Sequence, residues 1–150
     1  MALVAVEQMI DASVSEVWKA WDNFGGIDAF NPNLKRSFLL DGSAPSGVGA
    51  TRQCDFADGK NYIRERIVAY EHETFMKVDI YEGTVPLKEA TAQIELSPVS
   101  AGKTRLRFTI RFVPKFGLLG RFLIPMMKPQ FRKDITALLV KNATFVEARG

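Results

Sequence analysis

Between positions 104 and 113 the chain alternates without a break. Leu106, Phe108, Ile110 and Phe112 take one set of positions, and Arg105, Arg107, Thr109 and Arg111 take the other. A period of two with this contrast is a β-strand with one dry face and one wet face. A register slip of a single residue would turn three arginines into the core, so the pairing is strongly specified. A sheet with one apolar face needs a cover. The last segment supplies one. From Pro129 onward, Phe131, Ile135, Leu138, Asn142 and Phe145 recur at steps of four and three, with Leu139 and Val146 beside them. That spacing predicts an amphipathic helix of about four to five turns. Pro125 and Pro129 interrupt the apolar stretch upstream, which places a short helix or loop before the main helix.

The remaining chain reads as more of the same sheet. Val4, Val6, Gln8 and Ile10 alternate with Ala5, Glu7 and Met9 in a first strand. Ser13 with Glu16 three residues later has capping-box spacing, and Val14, Val17, Trp18 and Trp21 form one helical face behind it. Gly25-Gly26 is expected to end this helix, and Asn31-Pro32 marks a turn. Further strands are expected at 35–40, 50–56, 62–69, 75–82, 89–96 and 104–113. Ala57-Asp58-Gly59-Lys60 is a hairpin turn signal, and the other connections are short, so the sheet should be antiparallel.

Charge is unevenly placed. Residues 1–113 carry 13 Lys+Arg against 15 Asp+Glu, whereas residues 114–150 carry 7 against 2. The basic character belongs to the C-terminal segment alone, and no nucleic-acid motif accompanies it, so the chain reads as no nucleic-acid binder. Cys54 is the only cysteine. It allows no intrachain disulfide and no thiolate metal cluster, which favours a reducing, cytoplasmic setting. The opening MALVAVEQMI lacks a basic n-region and does not read as a signal peptide. The stretch 116–127, interrupted by Arg121 and Pro125, is too short to span a bilayer.

The segments IDASVSEVWKAW, FNPNLKRSFLLDG, GVGATRQCDFADGKNYIRERIVAYE, YEGTVPLKEATAQIEL and GKTRLRFTIRFVP, followed by the terminal helix, occur in an order and spacing that resembles the START-like (SRPBCC, birch-pollen-allergen-like) superfamily, in its polyketide cyclase/dehydrase-like branch. The resemblance covers nearly all of residues 1–150 and implies an α+β helix-grip fold: a seven-stranded antiparallel sheet wrapped round a long C-terminal helix, with two short helices after the first strand and a cavity between sheet and helix. Members bind lipids, sterols, hormones, polyketides or quinones. Some are cyclases or hydrolases, and many only bind or carry. The family shares no single catalytic residue set. Many members of this branch carry Trp before the Asn/His-Pro of the second motif, where this chain has Phe30.

Strand alternation nominates the cavity lining. Ile63, Glu65 and Ile67 share one face of their strand, with Arg64 and Arg66 on the other. Val78, Ile80 and Glu82 are expected to face the same way, as are Lys88, Ala90, Ala92 and Ile94, with Phe108 and Ile110 beyond. The small pair Ala90 and Ala92 leaves room where a filled core would prefer bulk. Phe131, Ile135, Leu139 and Asn142 supply the helix side. A carboxylate between two isoleucines is the main polar candidate. Glu65 could anchor a ligand, act as an acid or base, or pair with Arg52 or Lys88; the resemblance supports a pocket position, since related receptors place a Glu in a similar motif. Lys88, Thr51 and Asn142 are further candidate polar contacts. His72, the only histidine, falls in a turn and reads as solvent-exposed, and Cys54 reads as a small buried residue. Asp41 to Gly49 reads as a loop over the cavity mouth, and Gly83 to Pro86 as a mobile lip.

The expected function is binding or carriage of an apolar small molecule, with no cofactor. The alternatives are a cyclase- or dehydratase-type enzyme, which needs an acid/base pair in the cavity, and a lipid or quinone chaperone touching membranes through residues 115–133, where five cations interleave with Phe, Leu, Ile and Met.

Overall fold

A computed structural model describes residues 1–149. Strands β1 (Ala2–Ile10), β2 (Leu34–Leu39), β3 (Thr51–Phe56), β4 (Tyr62–Glu71), β5 (Phe75–Gly83), β6 (Leu87–Ser100) and β7 (Lys103–Pro114) form one seven-stranded sheet in the order β1-β7-β6-β5-β4-β3-β2. Every neighbouring pair is antiparallel. Helix α1 (Val14–Asp22) and a 3₁₀ segment (Phe24–Ala29) follow β1; α2 (Gly117–Arg121) and the long α3 (Ile124–Glu147) follow β7. This is the helix-grip arrangement, with the sheet curled round α3.

The elements form for local reasons. At the start of α1 the Ser13 Oγ accepts a hydrogen bond from the Glu16 N–H at 3.2 Å, which satisfies one of the orphan donors of the first turn. The helix turns Val17, Trp18 and Trp21 inward. Its end differs from expectation. The helix stops at Asp22, and Gly25-Gly26 lie inside the 3₁₀ segment. Gly25 serves close approach there: a Cβ would stand 2.8 Å from the Leu39 Cγ of β2. In the β3–β4 hairpin, Asp58 Oδ1 accepts from the backbone N–H groups of Lys60 and Asn61, and Gly59 takes φ +73°.

Helix α3 begins five residues before Pro129. Pro125 occupies the first turn, where its missing N–H is no loss, and Pro129 sits early enough that only one carbonyl loses its partner. From there Ile135, Leu138, Leu139, Asn142, Ala143 and Val146 are buried against the sheet and α1. The alternation in β7 stands as read: Leu106, Ile110 and Phe112 are buried and Phe108 packs on the same core, while Arg105, Arg107 and Arg111 are exposed.

Candidate functional site

Between the concave face of the sheet and α3 lies a cavity of about 160 Å³. Ile63, Val78, Ile80, Ala92, Phe108 and Ile110 line it from the sheet, and Phe131 and Ile135 from α3, all of them expected from the strand and helix periods. Met76, Ile94, Leu34, Phe56 and Leu138 complete the apolar wall, with Trp21 and Ile27 at its inner end.

Six expected lining residues lie elsewhere. Glu82 is exposed and pairs with Arg64, because a register shift between β4 and β5 at Arg64/Glu65 breaks the alternation that Val78 and Ile80 began. Lys88 is exposed on the outer side of the sheet. The cause is a register shift between β6 and β7 at Leu87/Glu89. A bulge inserts one residue and reverses the alternation beyond it. Leu87 therefore takes the inward position that unbroken alternation from Ala90 assigns to Lys88. Ala90, only 1% exposed and paired in register with Phe112, belongs to the packed core. Ile67 and Leu139 are fully buried in that core and do not reach the cavity. Asn142 is fully buried too, but its Oδ1 accepts a hydrogen bond from Trp21 Nε1 at 3.2 Å, so it fixes the indole.

The polar floor comes from β3 and β4. Arg52 and Glu65 are cross-strand partners, both buried. Arg52 Nε donates to Glu65 Oε1 at 2.9 Å, and its Nη1 donates to the Phe24 carbonyl at 2.9 Å. The guanidinium carbon stands 3.9 Å from the centre of the Phe24 ring, a desolvated cation–π contact. Cys54 Sγ donates to the same Glu65 Oε1 at 3.5 Å. Among the described residues nothing donates to Glu65 Oε2, so one carboxylate oxygen remains for the cavity. Of the pairings open to Glu65, the one formed is with Arg52. Burial, reinforced by the Glu65 carboxylate, pushes the Cys54 thiol far above its ordinary value, so it stays protonated and inert as a nucleophile. Thr51 does not line the cavity. His72 is exposed beside Glu73 and edge-on to Trp18, away from the cavity.

The mouth is framed by the turn after the 3₁₀ segment, the β3–β4 hairpin, the β5–β6 loop and α3, where Asn33, Phe56, Val85, Phe131 and Asp134 line both the cavity and its outer vestibule. Asn33 ties three of these parts: its carbonyl accepts from Ala57 N at 2.9 Å and its Nδ2 donates to the Asp134 carbonyl at 2.9 Å. The 83–86 loop, expected as a mobile lip, is braced on both sides. Thr84 N donates to the Tyr62 carbonyl, Tyr62 N donates to Thr84 Oγ1, and Lys115 N donates to the Pro86 carbonyl, each at 3.0 Å. The 41–49 loop does not overhang the mouth. Ser46 and Tyr70 both donate to Asp22 Oδ1, and this anchors the loop beside α1.

The family model for polyketide cyclase/dehydrase and lipid transport matches residues 1–147. The chain belongs to this family. No curated protein sequence matches it significantly. Among solved structures, the Zhui aromatase/cyclase from a Streptomyces species superposes with a TM-score of 0.84 at 14% identity, covering 99% of this chain and 94% of that one. A START superfamily protein from Mycobacterium smegmatis gives 0.82 at 14% identity, with 99% of each chain covered. Norcoclaurine synthase from Thalictrum flavum, solved with dopamine and hydroxybenzaldehyde, gives 0.75 at 14% identity over 99% of this chain and 88% of that one. At such identities the likeness is one of fold.

Proposed function

We propose that this family member binds an apolar small molecule carrying one polar group, and that it holds the molecule without transforming it. The observation that carries this reading is a cavity walled by aliphatic and aromatic side chains whose buried charge is concentrated in one pair, Arg52–Glu65. A molecule that hides about 200 Å² of apolar surface gains on the order of 5 kcal/mol before ordering costs. The volume suits one or two fused rings. The polar group would donate to Glu65 Oε2 and so be a hydroxyl or amine in place of an ether or halide. Acid–base chemistry needs a second group of suitable pKa, and the neighbours of Glu65 do not offer one: Arg52 is permanently charged and the Cys54 thiol is suppressed. The cyclase-type alternative has in its favour only that a guanidinium and a carboxylate meet at one point of the cavity wall.

The experiment pairs calorimetric titration of 2-naphthol and naphthalene with native mass spectrometry of the freshly purified protein. One site, with naphthol preferred over naphthalene, is expected; absence of binding by either would remove the carrier reading. Arg52→Met leaves a buried carboxylate unpaired and is expected to cost about 3 kcal/mol or more of stability. The double change Arg52→Met, Glu65→Met should restore most of that loss, keep naphthalene binding and abolish the preference for naphthol. A double variant that retained the preference would take the ion pair out of the recognition.

A further inference from the structure

Apart from Met1 and Val48, the apolar side chains most exposed to solvent are gathered in one segment. Phe116, Leu118, Leu119, Phe122 and Met126 cluster between the start of α2 and the first turn of α3, and Phe122 leaves 80% of its surface uncovered. Exposed patches of this kind on a folded chain mark a contact surface. The opposite side of the same segment is anchored, because Ile124, Met127 and Phe131 pack on the core. Gly120 is buried and backs onto the Lys115 carbonyl so closely that a Cβ would fall 2.0 Å from it. The outward display of the five side chains is therefore imposed by the fold.

Charge identifies what the face meets. Residues 115–133 contain Lys115, Arg121, Lys128, Arg132 and Lys133 and no acidic residue. Among the described residues none of the five takes part in a salt bridge. Two copies meeting through this face would bring like charges together. No helix among the described residues is long and apolar enough to cross a membrane. We propose that α2 and the first turns of α3 form a docking face for an anionic lipid surface, with Phe122, Leu119 and Leu118 dipping between headgroups and Lys115, Arg121 and Lys128 resting on them, while Arg132 is turned to the Ala5 carbonyl of β1. The face adjoins the mouth: Phe131 lines the cavity and its vestibule, and Lys115 flanks Val85 and Leu87 at the other side. Docking would thus turn the cavity opening toward the bilayer. The face stands on its own observations and does not depend on the ligand chosen for the cavity.

The test is flotation of the full chain with vesicles of phosphatidylcholine alone and of phosphatidylcholine and phosphatidylglycerol in equal parts, at low and high salt. Flotation with the anionic vesicles alone, weakened by salt, is expected. Leu119→Ser with Phe122→Ser should reduce partitioning on the order of tenfold or more, and Arg121→Gln with Lys128→Gln about fivefold per charge removed. Thermal unfolding of all variants should match the parent, because these side chains are exposed. No flotation, equal flotation with both vesicle types, or variants that float as well as the parent would overturn the proposal. So would a concentration-dependent dimer in sedimentation velocity that the serine pair dissolves while vesicles are ignored.

Discussion

At the inner end of the space between sheet and α3, Phe30 lies edge-on to Trp21 at 5.1 Å and tilted against Phe145 at 5.6 Å, and Trp18 meets Tyr70 at 5.4 Å. At the outer end the same sheet and the same helix face each other through Ala92, Ile80, Ile110 and Ile135, and a cavity remains. What differs is a third contributor: α1 and the 3₁₀ segment push aromatic side chains into the inner end and do not extend to the outer one. The void is thus a consequence of where two short helices stop. Phe30 falls in the filled end and does not line the cavity.

The sharpest break of this contrast is Phe30→Ala. The ring is 1% exposed, and its loss should cost about 3–5 kcal/mol, read as a drop in the urea midpoint, while naphthalene binding at the outer end persists in the folded fraction. A comparable loss of binding would mean the two ends are one unit. A smaller effect separates two alanines two residues apart on β6. Ala90→Leu overpacks the filled region and should cost about 1–3 kcal/mol. Ala92→Leu grows into the cavity, should shift stability by less than about 1 kcal/mol, and should abolish probe binding. Equal costs at both positions would deny the difference in packing. The smallest effect concerns dryness. Burial first, and then the Glu65 charge, raise the Cys54 thiol above its ordinary 9.0 in the folded chain, so the unfolded chain loses this proton first. Stability contributed by the neutral thiol is intact below about pH 9 and declines above it, by at most about 1.4 kcal/mol per pH unit. Urea unfolding from pH 7 to 11 should show a steeper alkaline decline for the parent than for Cys54→Ala. Parallel curves would indicate a wetted floor.

The sheet was legible because β7 keeps period two from Thr104 to Phe112 and β6 keeps it from Ala90 to Leu96, and the helix because α3 keeps its apolar face from Phe131 to Val146. The inward set Ile63, Glu65, Val78, Ile80, Ala92, Phe108 and Ile110 followed from alternation alone. Lys88 failed because a bulge leaves no trace in hydropathy, and its exchange with Leu87 is decided by pairing with β7. Ala90, Ile67, Leu139 and Asn142 failed for another reason: alternation names the inner face but cannot say how deep along it the filling stops. That depth depends on side chains from α1 and the 3₁₀ segment, distant in sequence. The partner of Glu65 was one of two open choices, settled by the β3–β4 register that sets Arg52 opposite it. The early start of α3 was hidden by two prolines that a first turn tolerates.

The braced mouth has a consequence for selectivity of another kind. Asn33 links the hairpin and α3, and Thr84 and Pro86 stitch the β5–β6 loop to its neighbours. A doorway with fixed jambs works as a gauge. It sorts molecules by girth, because a wide ring must break several hydrogen bonds to pass, and it is indifferent to length, because a slender tail can trail outside. Among homologous guests of equal apolar area, a slim one with a long tail would thus exchange faster than a compact, branched one, and the discrimination would show in association rates before it showed in equilibrium affinities.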